Sequence, residues 1–215
     1  MTKSAGRSAA FWTVPLLSAV STIASAQQWI SITSYPTPTP NSNPAGITGG
    51  PDGALWFTEA IGKIGRITTE GAITEFPVPT VGSGLQGITT GPDGALWFTE
   101  SYGNKIGRIT TAGLIAEYPV PTRDSNPFGI TAGPDGALWF TEYNGNKIGR
   151  ISTAGVISEY VLPTKRSSPE GIALGSDGAL WFAELDGDNV GRVTVHGVFT
   201  EYPVETGPST IAGGA

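Results

Sequence analysis

The sequence predicts an all-β fold, a β-propeller of four-stranded antiparallel blades, and two observations lead to this prediction. The 215 residues include 31 Gly and 17 Pro, so turns come too often for long helices. A tripeptide that starts at Gly46, Gly-Ile-Thr in three copies and Gly-Ile-Ala in the fourth, recurs at spacings of 41, 42 and 42 residues. A period near 42 with four strands per unit is typical of propeller blades. We therefore expect four complete blades and partial blades at both ends.

The N-terminal segment has the features of a secretory signal peptide. Lys3 and Arg7 precede an apolar stretch from Phe11 to Ile23, and Ala24-Ser25-Ala26 has the small-residue pattern that signal peptidase recognises. We expect cleavage after Ala26, a secreted or periplasmic location and no stable membrane anchor after cleavage. A retained N-terminal anchor is the alternative, and the absence of a following basic stop-transfer cluster disfavours it.

Each repeat follows the same course, shown here for the first copy. A strand from Gly46 leads through a Pro-Asp-Gly turn into the apolar run Ala54 to Phe57 and then Glu59. Apolar residues at consecutive positions predict a strand that is covered on both faces. A third strand follows, and the fourth, from Ile73 to Pro77, ends in a proline that cannot donate to a ladder, so it should lie at the outer edge.

The two ends of the repeat region carry fragments of further blades. Residues 32–36 align with the fourth strand of the first copy, which predicts a lone outer strand of a closing blade, and residues 211–214 align with the start of a first strand. An open ring of this kind should expose apolar residues and self-associate; those expected to be exposed are Leu55, Phe57, Leu180 and Phe182. The segments are the signal peptide (1–26), the outer strand and its loop (27–45), four blades (46–80, 81–122, 123–164, 165–206) and the start of a truncated blade (207–215).

The repeat motif resembles that of the virginiamycin B lyase (streptogramin B lyase) family. The motif reads Gly-Pro-Asp-Gly-Ala-Leu-Trp-Phe-Thr-Glu at 91–100 and Asn-Lys-Ile-Gly-Arg-Ile at 104–109, and the resemblance extends from Ile32 to Gly214. It implies a seven-bladed propeller that opens the ester of a cyclic depsipeptide antibiotic by a Mg²⁺-assisted elimination. Seven repeats need about 290 residues, so the resemblance implies an exported member that is truncated at its C-terminus.

The family's catalytic loop, as the resemblance implies it, reads Glu-x-His-Gly-Ile, with a metal-binding glutamate fourteen residues after the histidine base. That glutamate is present in every copy, as Glu59, Glu100, Glu142 and Glu184. The histidine position holds Ala45, Gln86, Phe128 and Glu170, and the first carboxylate position holds Asn43, Gly84, Asn126 and Ser168. We assign no catalytic residue and expect this chain alone to be inactive; the one histidine, His196, is predicted to be an exposed turn residue.

Several repeated residues are candidates for binding or for structure. The four glutamates could bind a divalent cation such as Mg²⁺ at the channel mouth, or they could instead bond backbone groups of the following loop. Gln86, Phe128 and Glu170 are candidates for a surface that binds a small molecule or peptide. The repeated aspartates should cap turns, the tryptophans should pack between blades, and the arginines that begin with Arg66 should bond one blade to the next.

Two functions stay open at this stage. One is a lyase whose catalytic blades lie beyond the end of this chain, and the other is a non-catalytic exported propeller that binds a ligand or partner at its channel mouth. The net charge of −6 and the absence of a Lys/Arg cluster argue against nucleic acid as a partner. The lack of cysteine excludes disulfides and thiolate chemistry.

Overall fold

The computed structural model describes residues 31–213, in which all regular structure is β-strand. The chain divides into two units, residues 1–34 and 35–215, and the second contains four sheets of four antiparallel strands, each in chain order. Blade 1 comprises β1 (Pro44–Gly49), β2 (Leu55–Glu59), β3 (Lys63–Ile67) and β4 (Ile73–Pro77), and blade 2 comprises β5 (Leu85–Thr90), β6 (Leu96–Glu100), β7 (Lys105–Ile109) and β8 (Ile115–Pro119). Blade 3 comprises β9 (Pro127–Ala132), β10 (Ala137–Glu142), β11 (Lys147–Ser152) and β12 (Ile157–Val161), and blade 4 comprises β13 (Pro169–Leu174), β14 (Leu180–Glu184), β15 (Asn189–Val193) and β16 (Phe199–Pro203).

The Pro-Asp-Gly turn joins the first two strands of a blade and also anchors the third. Asp52 Oδ1 accepts a hydrogen bond from Trp56 Nε1 at 3.0 Å, and its Oδ2 accepts one from Arg66 Nε at 2.7 Å. The capping role of the aspartate is confirmed, and Gly53 supplies the positive φ of 76° that the turn needs. The prediction that the arginines bond one blade to the next was wrong. Each arginine donates to the aspartate of its own blade. In blade 1 this follows because Arg66 on β3 is the cross-strand partner of Trp56 on β2, which bonds the same aspartate.

Neighbouring blades are held together by apolar clusters and close backbone contact. Trp56 packs with Leu85 and Ile88 of blade 2, as expected for the repeated tryptophans. A Cβ on Gly46 would lie 2.7 Å from the carbonyl oxygen of Gln86, so this position admits only glycine. The glycines of the recurring Gly-Ile-Thr tripeptide therefore lie where the first strands of adjacent blades contact each other.

The N-terminal fragment does not form the expected strand. Residues 31–37 have no regular secondary structure, because no sheet is available at that point for an added outer strand. Tyr35 nevertheless lies against Gly71 in the β3–β4 turn, as Phe76 lies against Gly113 in the next blade. The inter-blade aromatic contact is thus kept without the strand. The predicted signal peptide lies outside the described residues, and between residues 31 and 213 no helix is long and apolar enough to cross a membrane.

The two outer faces of the four-blade array differ from each other. Ile47 and Leu55 of blade 1 are 63% and 47% exposed, whereas Ile172 of blade 4 is 8% exposed. Phe57, Leu180 and Phe182 are buried, contrary to expectation. Leu180 and Phe182 face blade 3 and not the open side, and the Phe57 ring lies against Gly65 of the neighbouring strand. On the open side of blade 4, residues 209–211 run beside Gly171 as the first strand of another blade would.

Candidate functional site

The first strands of the four blades lie side by side, and a solvent-open cavity of about 300 Å³ lies between them. Its walls carry one glycine from each blade and the side chains of Ala45, Gln86 and Phe128, and Ser209 and Thr210 close it. Glycine occupies these positions because the strands approach too closely for a Cβ. In blades 1 to 3 the residue before the glycine lines the opening. The cavity therefore has mostly backbone walls, with one amide and one aromatic side chain.

Two of the three residues predicted to form a ligand-binding surface share this cavity. Gln86 and Phe128 line it, and the Phe128 ring lies 6.4 Å from that of Tyr143. Glu170 is not among the lining residues; its carbonyl oxygen accepts a hydrogen bond from Thr141 Oγ1 at 2.7 Å. Burial, and then the nearby charge of Asp186, raise the pKa of the Glu170 carboxyl. Ligand binding at these residues stays a prediction.

The four glutamates that end the second strands are completely buried. Neither carboxylate oxygen of any of them has a hydrogen-bond partner within the described chain, so bonds to the following loop are not seen. Burial is the largest cause that raises the pKa of Glu100, Glu142 and Glu184 to about 7, and it also raises that of Glu59. Among residues 31–213, no three His, Cys, Asp or Glu come together as a metal site. Cation binding by these glutamates also stays a prediction.

A lysine-centred ion pair lies beside each of the first three of these glutamates, and the sequence analysis missed it. In blade 2, Lys105 Nζ lies 2.6 Å from Glu117 Oε2 and 2.6 Å from Thr80 Oγ1, while the Thr80 amide donates to Glu117 Oε1 at 3.0 Å. The threonine belongs to the loop that follows the preceding blade, so the group ties that loop to β7 and β8. The repeated twelve-residue spacing of lysine and glutamate, on paired strands, is the signal that could have revealed it.

The positions of the family's catalytic loop have a common backbone geometry here but no common chemistry. The first carboxylate position has a positive φ in all four repeats, between 51° and 63°, at Asn43, Gly84, Asn126 and Ser168. The histidine position holds residues without an imidazole. His196 is exposed in the β15–β16 turn, as predicted, and the antiparallel order places this turn at the end of blade 4 opposite to the start of β13.

Comparison with known proteins identifies the family of this chain. The model of the virginiamycin B lyase family matches residues 2–212. The chain belongs to the virginiamycin B lyase family. Selenomethionine-substituted virginiamycin B lyase from Staphylococcus aureus is 49% identical with a TM-score of 0.84, over 86% of this chain and 64% of that one. A streptogramin B lyase structure is 48% identical with a TM-score of 0.81, over 83% of this chain and 61% of that one.

A third structure bears on the chemistry of the virginiamycin B lyase family. It is a catalytically inactive histidine-to-alanine variant of the Staphylococcus aureus virginiamycin B lyase with quinupristin, 48% identical with a TM-score of 0.80 over 82% of this chain and 62% of that one. No curated protein matches the chain. The chain spans less than two thirds of the length of each of these three structures.

Proposed function

We propose that this chain is the antibiotic-binding part of a virginiamycin B lyase, an enzyme that opens the ester C–O bond of a cyclic depsipeptide with Mg²⁺. In this proposal the four described blades bind the depsipeptide at the cavity between their first strands and do not open it. The proposal rests on the family match, on that cavity and on the absence of histidine from the position that the family's base would hold.

The reaction needs a group that the described blades do not provide. Elimination at an ester removes a proton next to a carbonyl and releases a carboxylate, and general-base catalysis of such a step contributes about 10²–10⁴-fold. Ala45, Gln86 and Phe128 cannot act as bases, and the Glu170 side chain does not line the cavity. These blades can therefore hold a substrate while leaving its ester intact.

The described residues also do not fit the family's magnesium site. The four glutamates at the metal position are buried separately, and no cluster of three or more acidic or imidazole side chains forms between residues 31 and 213. A chain that performs the proposed reaction needs both a base and metal ligands in addition to these blades.

The apolar and aromatic character of the cavity suggests which part of the ligand it contacts. Backbone edges and the Phe128 ring suit an aromatic or aliphatic side chain of a depsipeptide, and the Gln86 amide can bond a peptide group. A cavity of about 300 Å³ accepts such a side chain and not the whole macrocycle. The remainder of the ring would lie over the rims of the first strands.

Titration with quinupristin, followed by calorimetry, tests the binding claim. We expect saturable binding that Phe128→Ala weakens about 10-fold or more, since it removes an aromatic contact, and that Leu114→Ala, at an exposed site away from the cavity, leaves unchanged. Binding that is absent, or equally strong in both variants, would refute a site at this cavity. Binding of unrelated peptides with the same affinity would favour the alternative of a non-catalytic binding propeller.

A further inference from the structure

Blade 4 departs from the other three at the lysine of the partly buried ion pair. Where blade 2 has Lys105, blade 4 has Asn189. The other members are retained: Glu201 accepts hydrogen bonds from the amide and hydroxyl of Thr164 at 3.0 and 2.8 Å. Asn189 Nδ2 only approaches Thr164 Oγ1, at 3.4 Å. In blade 4, an uncharged amide therefore stands where blades 1 to 3 have the ammonium group of a lysine.

A second carboxylate adjoins the same position. Glu184 is 0% exposed, and both of its oxygens lack a hydrogen-bond partner within the described chain. It is the cross-strand partner of Asn189, and its Oε1 lies 2.8 Å from the point that a Cβ on Gly191 would take. Gly191 is in turn paired with Glu201. Both carboxylates therefore flank the space that the shorter Asn189 leaves.

Nothing in the described chain neutralises these two carboxylates. In blades 1 to 3 the corresponding acid has its lysine at 2.6–2.7 Å. No ion pair within residues 31–213 involves Glu184 or Glu201. Arg192, the nearest Lys or Arg along the chain, pairs with Asp177 at 2.7 Å, and Lys165 and Arg166 are exposed. Two like charges that share a half-buried pocket repel each other unless a cation or a proton lies between them.

We infer that this pocket in blade 4 binds a divalent metal cation in the place of the missing ammonium. Its donors are the carboxylates of Glu184 and Glu201, the hydroxyl of Thr164 and the amide oxygen of Asn189, once rotation of the amide exchanges this oxygen with the Nδ2 that now faces Thr164. All are hard oxygen ligands, which Ca²⁺ accepts in irregular sets completed by water, whereas Mg²⁺ requires a near-octahedral set. These residues lie on β14, β15 and β16 and in the loop before β13, and none of them lines the cavity between the first strands.

Binding of Ca²⁺ to the purified, EDTA-treated full-length chain tests this inference. We expect one Ca²⁺ per chain by calorimetry, with Mg²⁺ competing at least 10-fold more weakly. Asn189→Lys restores the residue of the other blades, so it should fold normally and lose Ca²⁺ binding. Adding Lys105→Asn to that variant recreates the pocket in blade 2 and should restore binding of one Ca²⁺.

The same variants distinguish this pocket from Ca²⁺ binding elsewhere on the chain. Saturating Ca²⁺ should raise the melting temperature of the wild-type chain by about 2–4 °C and leave that of Asn189→Lys unchanged. Equal Ca²⁺ binding by the wild-type chain and by Asn189→Lys would overturn the inference. So would the absence of binding by a wild-type chain whose circular dichroism shows it to be folded.

Discussion

Glu142 illustrates the cost of a carboxyl group at the end of a buried strand. Burial, and then the charge of Glu159, raise its pKa to about 7 from an ordinary value of 4.5, although Lys147 opposes the shift. Between these pH values the folded chain keeps a proton that the unfolded chain releases. The effect of Glu142 on the free energy of unfolding is therefore most favourable below about pH 4.5, and it becomes less favourable as the pH rises to about 7.

Replacing this carboxyl by its neutral analogue should remove that loss. We expect Glu142→Gln to be about 1–3 kcal/mol more stable than the wild-type chain above pH 7 and about equally stable near pH 4.5. Urea denaturation at several pH values measures this difference, with exposed Glu205→Gln as the control. A difference that does not vary with pH would show that folding does not shift the pKa of Glu142.

The turn aspartates have the opposite effect on stability. Asp135 accepts hydrogen bonds from Trp139 Nε1 at 3.1 Å and Arg150 Nε at 2.6 Å, and its pKa is lowered because these bonds outweigh the larger single effect of burial. Asp135→Ala leaves the indole N–H without its acceptor and should cost about 1–3 kcal/mol at pH 7, measured by urea denaturation. The cost should shrink as the pH falls from the ordinary pKa of 3.8 through the lowered pKa of the folded aspartate, because only there does Asp135 become protonated in the wild-type chain.

At the scale of the strand, a threonine joins each of the first three blades to its successor. Thr141 Oγ1 on β10 donates to the carbonyl oxygen of Glu170 on β13 at 2.7 Å and accepts from the amide of Gly129 at 2.9 Å. In blade 4 the equivalent residue is Ala183. Within residues 31–213 the bond therefore joins blade 1 to 2, blade 2 to 3 and blade 3 to 4.

Removing that hydroxyl should loosen blade 4 from blade 3. We expect Thr141→Val, which keeps the shape of the side chain, to lower the free energy of unfolding by about 1–2 kcal/mol and Thr141→Ser to have a smaller effect. Amide hydrogen exchange should show the loss of protection concentrated on β9 and β13. Equal effects of the two substitutions would assign the role of Thr141 to packing and not to its hydroxyl.

The strands could be predicted from the sequence because each boundary carries its own local signal. Three of the four strands are marked by the Asp-Gly turn, by the apolar run that begins with Ala54 in the first copy and, in blades 1, 2 and 4, by a proline at the end of the fourth strand. The failures concern partners that no local pattern specifies. Arg66 selects the aspartate of its own blade across a strand pair, and residues 32–36 lack the sheet that their alignment assumes.

The candidate site was less predictable than the fold. Placing Gln86 and Phe128 at one opening follows from the repeat, since equivalent residues of adjacent blades must lie together. The buried environment of the four glutamates depends on how tightly the loops of neighbouring blades close over them, which the sequence does not encode locally. The lysine pair was overlooked because each member is ordinary alone and informative only when the repeats are aligned.

For the molecule as a whole, the first blade presents an apolar face without a neighbour in the described chain. Ile47 and Leu55 are exposed there, and a cavity of about 310 Å³ runs between Tyr35 and Ile73. We expect the chain to self-associate through this face, and Ile47→Lys with Leu55→Lys to shift it toward monomer in light scattering. As a control, Leu114→Lys at another exposed site should leave the degree of self-association unchanged. A shift toward monomer in this variant would show that the added charge acts through general solubility and not through the face of blade 1.

The predicted signal peptide concerns the fate of the whole chain in the cell. Because the small-residue motif ends at Ala26, we expect the mature protein to begin at Gln27 and to be recovered outside the cytoplasm. Mass spectrometry of the protein isolated from cell fractions measures both properties. An intact N-terminus in the cytoplasmic fraction would contradict export.

The central claim is that these blades provide the family's fold and binding surface without the family's chemistry. Mass spectrometry of quinupristin incubated with the purified chain and Mg²⁺ tests it most directly, because opening of the ester changes the product's fragmentation. We predict intact quinupristin, with and without EDTA. Metal-dependent opening that EDTA blocks would contradict the claim, and its loss in Glu170→Gln would identify the carboxylate at the histidine position of blade 4 as the base.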